Sequence, residues 1–237
     1  VKATRLIPGM GMAYGSNNKY NWSSFTGYVS YTPDRMFNFQ IGRDKHFIGD
    51  GYRSLLLSDV ANAYPYFRTS VNVWRLQYAA WYTWMKDIYG TNGFKNDFRN
   101  KFGTFHYLTW NISKNVNLGL FENIIWQGQD TNRVRNFDPN YLNPVIFFRP
   151  IEYSLGSSDN AMMGLNFSVK AWRTVKFYFQ AVADEFYLKE IKAHKGWWGN
   201  KQGVQVGFKY INAFTVKNLS MQGEFNTVRP YTYSHGS

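Results

Sequence analysis

The sequence predicts an all-β protein: an antiparallel transmembrane β-barrel, or a large part of one, with long loops on one side. Three observations predict it. Apolar and polar residues alternate in segment after segment, aromatics make up 20% of the chain, and the connections between segments are alternately short and long. Side chains in a strand point to opposite faces with period two, so each alternating segment is a ribbon with one greasy and one wet side. Many such ribbons in succession, with aromatics at their ends, suit a closed sheet whose greasy side faces lipid.

The alternation places strands at 11–15, 25–32, 36–43, 66–84, 103–112, 116–126, 162–172, 175–184, 203–211 and 218–228. In Leu165-Asn166-Phe167-Ser168-Val169-Lys170-Ala171 it is unbroken, and Phe37, Phe39 and Ile41 share one face of 36–43. The 66–84 stretch changes phase: Phe67, Thr69, Val71 and Val73 give way to Trp74, Leu76, Tyr78 and Ala80, which calls for a bulge or a tight turn. Turn signals at Thr32-Pro33-Asp34-Arg35, Ser113-Lys114-Asn115 and Trp172-Arg173-Thr174 make short connections. Long ones lie at 44–65, 85–102, 127–161 and 185–202, with one helical turn expected near Ser54–Ala63. The polar positions opposite the apolar ones are rich in amides, among them Asn38, Gln40, Gln77, Asn166, Gln180, Gln205, Gln222 and Asn226. Amides both donate and accept hydrogen bonds, so such a face hydrates a lumen or binds sugar hydroxyls.

Composition bounds the function. The 237 residues suit one domain. Mean hydropathy is −0.44, and no apolar run approaches the ~18 residues of a membrane helix, which excludes a helical membrane protein. Girdles at two membrane interfaces account for many of the 9 Trp and 18 Tyr. A soluble all-β sandwich or propeller alternates too and is the bland alternative. The absence of cysteine excludes disulfides, thiolate metal sites and a cysteine nucleophile. The net charge of +12 is scattered singly with no basic helix, so anionic lipid A phosphates, acidic polysaccharide or a polyanionic protein fit better than nucleic acid. Val1-Lys2-Ala3-Thr4-Arg5 has no apolar segment behind it, so the chain reads as mature or as a piece of something longer.

Three stretches are more particular than strand or loop requires: 42–59, 140–160 and Gly196-Trp197-Trp198-Gly199-Asn200-Lys201-Gln202-Gly203. On Gly49-Asp50-Gly51-Tyr52-Arg53-Ser54-Leu55-Leu56-Leu57-Ser58-Asp59, Tyr141-Leu142-Asn143-Pro144 and Val228-Arg229-Pro230-Tyr231-Thr232-Tyr233-Ser234, the chain resembles a known family. It is similar, from about Gly42 to His235, to the outer-membrane barrels related to the capsule-assembly protein Wzi, nearest the gliding-motility members of the RemB type. The resemblance implies a bacterial outer-membrane barrel associated with surface polysaccharide or adhesin-driven motility. Members of that family are longer and have more strands, so it also implies that 1–237 is a barrel domain within a longer chain.

Weighed on their own chemistry, Gly49-Asp50-Gly51 lacks the lysine-serine pair of a phosphate loop and reads as a tight turn. The apolar run Leu55-Leu56-Leu57 after a long connection predicts that Gly49, Asp50, Gly51, Tyr52, Leu56 and Asp59 belong to a loop folded into the lumen. Asn143-Pro144 and Arg149-Pro150 force extended residues before each proline, as on a barrel rim. Arg53, Trp197, Trp198 and Lys201 are the candidate glycan or partner contacts at an exposed rim, against the plainer role of Trp197-Trp198 as an interfacial anchor.

Catalysis finds little support. Asp184 and Glu185 are adjacent and point to opposite faces of a strand, so they cannot be a glycosidase pair; Glu122 stands alone. His46, His106, His194 and His235 show no metal-ligand spacing, and Asp130, Asn132 and Asp138 lack the rest of a calcium loop. No enzyme, metal or cofactor is expected. Three functions remain: a barrel that binds or organises surface polysaccharide and serves a motility or secretion assembly, a carbohydrate-selective or passive pore, and an enzyme acting on lipopolysaccharide. The expected partners are outer-membrane lipid and lipopolysaccharide, surface polysaccharide and other outer-membrane proteins. A loop 44–65 that occludes the lumen separates the first from the second.

Overall fold

A computed structural model describes residues 6–15, 19–87, 98–130, 133–134, 136–143, 159–184 and 201–233. Among them the strands are β1 (Leu6–Ile7), β2 (Gly11–Tyr14), β3 (Asn21–Trp22), β4 (Gly27–Tyr31), β5 (Phe37–Asp44), β6 (Tyr64–Val73), β7 (Leu76–Asp87), β8 (Arg99–Asn111), β9 (Val116–Gln127), β10 (Gln129–Asp130), β11 (Arg133–Val134), β12 (Asn160–Ala171), β13 (Val175–Asp184), β14 (Lys201–Ile211) and β15 (Ser220–Val228). The described residues contain no α-helix.

Ten strands form one antiparallel meander, in the order β4-β5-β6-β7-β8-β9-β12-β13-β14-β15, each paired with the next strand of that sheet along the chain. Strands β1 to β3 form a small separate sheet, and β10 pairs with β11. The strand expected over 66–84 is two strands joined by the two-residue turn Trp74-Arg75, so the phase change is a tight turn. The segment 11–15 holds β2, which lies outside the large sheet. The large sheet is open between β4 and β15, and no closed barrel is formed by the described residues.

Register fixes the two faces, because residues directly opposite across a ladder share a side. Phe167 pairs with Phe179 and Leu118, Phe179 with Val206, and Val206 with Phe225. This apolar face continues through Leu120, Leu108, Tyr78, Val71 and Phe37. The other face carries Asn166, Gln180, Gln205 and Asn226 in one row. Burial runs opposite to that of a soluble sheet. Gln180 and Gln205 are 0% exposed, whereas Val206 is 49% and Phe225 64% exposed.

The short connections lie at one end of the sheet and the long ones at the other. Asp34 closes the first short turn by accepting from Met36 N and Phe37 N at 2.7 and 2.8 Å, and Ser113 Oγ likewise accepts from Asn115 N and Val116 N. Trp74 and Trp172 occupy turn positions at φ 53° and 45°. That left-handed region costs a bulky side chain about 1–3 kcal/mol, yet both indoles stand in the open, 79% and 80% exposed.

A cluster of aromatics lies on the apolar face at the long-loop end. Phe137 stacks on Trp84 at 5.6 Å and meets Phe102 and Trp126 at 5.8 and 5.9 Å. Tyr141 is buried there, its hydroxyl donating to Asp159 at 2.6 Å, while Tyr82 and Thr104 donate to the Leu142 and Tyr141 carbonyls. The 136–143 part of the expected rim loop therefore folds onto the end of β7, β8, β9 and β12; Pro144 to Ser158 lie outside the described residues.

Candidate functional site

The polar face is covered by one segment, residues 48–57, which follows β5. Ile48 N donates to Leu57 O at 2.9 Å, drawing the segment into a closed loop. Ile48, Leu55 and Leu56 then pack on Tyr66, Ala79, Trp81, Phe105, Phe121, Met162 and Val182, the apolar patch of an otherwise polar face. The helical turn expected near Ser54–Ala63 does not form. The Leu55 N–H donates to Gln180 Oε1 and its carbonyl accepts from Tyr233, so these backbone groups serve tertiary partners instead of a helix ladder.

Four strands grip the backbone of this segment. Gln180 on β13 accepts from Leu55 N at 2.9 Å and donates to Ile48 O at 3.2 Å. Gln205 on β14 donates to Arg53 O at 2.9 Å. Glu224 on β15 accepts from Tyr52 N, Arg53 N and the Tyr178 hydroxyl at 2.7, 3.2 and 2.9 Å. Asn166 on β12 donates to Asp50 at 3.0 Å, and Lys176 makes an ion pair with the same carboxylate. These contacts read backbone and one carboxylate, so they fix the path of the segment more than its side chains.

Glycine is required where the segment meets the sheet. Gly49 has φ 151°, and a Cβ there would strike the Gln180 amide; a Cβ on Gly51 would strike Glu224. Gly164 on β12 is the counterpart below, since a Cβ there would collide with the Leu56 side chain.

Burial alone would push the Asp50 carboxyl up, but the hydrogen bonds from Lys176 and Asn166 and the Lys176 charge outweigh it and hold the group below the usual Asp range. His46, just before the segment, is lowered to about 4, first by burial and further by Arg68, with Asp44 opposing. Beneath residues 45–50 lies a cavity of about 530 Å³ that extends along the polar face to the 113–115 turn.

Of the residues the sequence singled out, Gly49, Asp50, Gly51 and Leu56 lie in or under this segment. Tyr52 is 70% exposed with the Arg53 guanidinium 4.8 Å from its ring, and Asp59 stands in an exposed turn. Lys201 corrects the expectation of a rim cation: it begins β14 on the polar face opposite Asp184, 5% exposed. Trp197 and Trp198 lie outside the described residues. Glu224, Tyr178 and Tyr233 were missed. Alternation marks Glu224 as polar-face, between Gln222 and Asn226, but nothing in the sequence says that it meets a segment about 170 residues away. Among the described residues no three His, Asp or Glu side chains converge as metal ligands.

Comparison with protein-family models, curated proteins and solved structures finds no match for this chain.

Proposed function

We propose that the chain is the barrel domain of a non-enzymatic outer-membrane protein. In this reading it binds or organises surface polysaccharide and supports gliding motility or surface-protein secretion within an outer-membrane assembly. The observation that carries the reading is the inverted sheet: over β14 and β15 and toward the short-turn end its apolar face is exposed, while Gln180 and Gln205 on the polar face are buried beneath the chain's own 48–57 segment. Apolar exposure of this kind marks a surface that something apolar covers, and lipid covers the outside of a barrel whose inside is polar.

Two further features support lipid as the cover. Trp74, Trp110, Trp172 and Phe214 stand exposed at the short-turn end, and Trp84, 40% exposed, stands toward the other. Each of the five short turns also carries a cation: Arg35, Arg75, Lys114, Arg173 and Lys217. Cations beside interfacial aromatics suit anionic headgroups. A sheet in lipid has no free edge, so the reading requires partners for the outer edges of β4 and β15.

The alternative, a carbohydrate-selective or passive porin, needs an open lumen, and a segment bonded to four strands weighs against it. The glycan side of the proposal is tested on cells. Arg53→Ala combined with Trp197→Ala should release bound polysaccharide in a retention stain while outer-membrane abundance stays unchanged. Unchanged retention with loss of surface motility or export would make the barrel a subunit of a larger machine instead.

A further inference from the structure

The cavity beneath residues 45–50 is lined by five cations, Lys45, Arg68, Lys114, Lys170 and Lys176, against one carboxylate, Asp50. Asp50 is spent on Lys176 and Asn166. Among the described residues none of the other four cations has an ion-pair partner. Like charges gathered around one space repel each other, and the sheet gains nothing from the arrangement. Arg68 is the innermost of them, in β6 between Gln40 and Trp81, its guanidinium 5.0 Å from the Trp81 ring.

A second observation points the same way. Arg68 Nε, Trp81 Nε1 and His46 Nε2 are all buried, and none has a hydrogen-bond partner. The three side chains are neighbours, with the His46 and Trp81 rings 6.1 Å apart, and all three line the cavity. Trp81 is only 6% exposed. A buried donor without an acceptor costs about 1–3 kcal/mol, so Arg68 and Trp81 form a strained, donor-rich wall with no acceptor of the fold against it. Gln77, Asn117 and Asn166 add amides able to bond hydroxyls, and 530 Å³ falls within the ~300–1,000 Å³ of ligand sites.

We propose that this cavity binds an acidic saccharide, its carboxylate held by the Arg68 guanidinium where it stands over Trp81, its ring hydroxyls by the amides, and its further negative charge by Lys45, Lys114 and Lys170. The site names the saccharide class for the polysaccharide reading above and rests on it for the choice of a sugar over another carboxylate. It lies on the polar face toward the short-turn end, apart from the exposed Arg53.

The test uses the full chain purified in detergent, titrated with trigalacturonate as the acidic probe and maltotriose as the neutral one, with calorimetry and tryptophan emission as readouts. Trigalacturonate should bind and quench emission, more weakly at high salt, and maltotriose should not bind. Arg68→Gln should weaken trigalacturonate about 10- to 100-fold, the range expected for a hydrogen bond to a charged group. Because Arg68 is half-buried, the solvent-side pair Lys114→Gln and Lys170→Gln provides a second variant that leaves the packing intact and should weaken binding about tenfold. Lys217→Gln, outside the cavity, should change nothing. Equal binding of maltotriose, no binding of trigalacturonate, or unchanged affinity in both cavity variants would overturn the site. Cells that still retain polysaccharide under those outcomes would leave the glycan function standing at another place on the protein.

Discussion

Gly164 shows how one missing side chain sets the fit of the covering segment. It leaves room under Leu56, and neither its size nor its role is visible in an alternating stretch where it takes one polar-face position among several. Gly164→Val should lift the Leu56 side chain and cost about 1–3 kcal/mol as an overpacking substitution; a cysteine replacing Leu56, inert to maleimide in the parent, should then react readily. His46 gives the pH dependence. Its folded value of about 4 lies below the ordinary 6.5, so below that value the undocked state takes up a proton that the docked state refuses. Docking stability is therefore full above pH 6.5 and lost progressively as pH falls toward 4. Asp50, depressed in the docked state, adds a further loss below the ordinary Asp range. Hydrogen exchange of residues 48–57, corrected for intrinsic rates, should show both phases, and His46→Gln should abolish the upper one.

At the level of elements, strands and short turns were legible because period-two alternation and turn chemistry are local signals. The boundaries of β9 and β13 lie within one residue of those expected, and the doubled phase at 66–84 resolved into a hairpin. The covering segment was legible only in outline. Leu55-Leu56-Leu57 announced burial, but the segment's hydrogen-bond partners come from β12 to β15, and contacts across more than a hundred residues leave no local trace. The same long reach makes Gln180 its strongest clamp. Gln180→Leu would leave Leu55 N unpartnered and Ile48 O with the Ser54 hydroxyl alone, at about 1–3 kcal/mol for the amide if it stays dry, and should free 48–57 to proteolysis while far-UV circular dichroism retains the strand signal. Gln205, which sequence alone would treat as a tolerant polar position, should be equally intolerant, since it bonds Arg53 O and Asn226.

For the whole molecule the sequence identified an amphipathic sheet and the sense of its faces, and it did not reveal how uniform they are. His106 and Glu122 face each other on the apolar side and are 0% and 2% exposed, so that part of the face is covered by protein. Alternation assigns those positions to the apolar side by period while their chemistry contradicts it, a conflict that only packing resolves. With Phe102, Ile124 and Trp126 these positions make up the covered long-loop half of the face. Over β14 and β15 and toward the short-turn end the face is open, and there Phe167→Arg and Phe208→Arg should each cost about 2–4 kcal/mol in refolding into lipid vesicles, as for a cation near the bilayer midplane. Lys170→Gln and Lys209→Gln on the opposite face should change refolding little. Lipid contact of the exposed apolar face is read out by a nitroxide scan of residues 203–210 on β14 in reconstituted vesicles. Collision rates with oxygen should alternate with period two and peak at Val204, Val206, Phe208 and Tyr210, with the water-soluble relaxant excluded from those four sites. Immobilised labels shielded from oxygen at those positions, or labels open to the water-soluble relaxant, would contradict lipid contact.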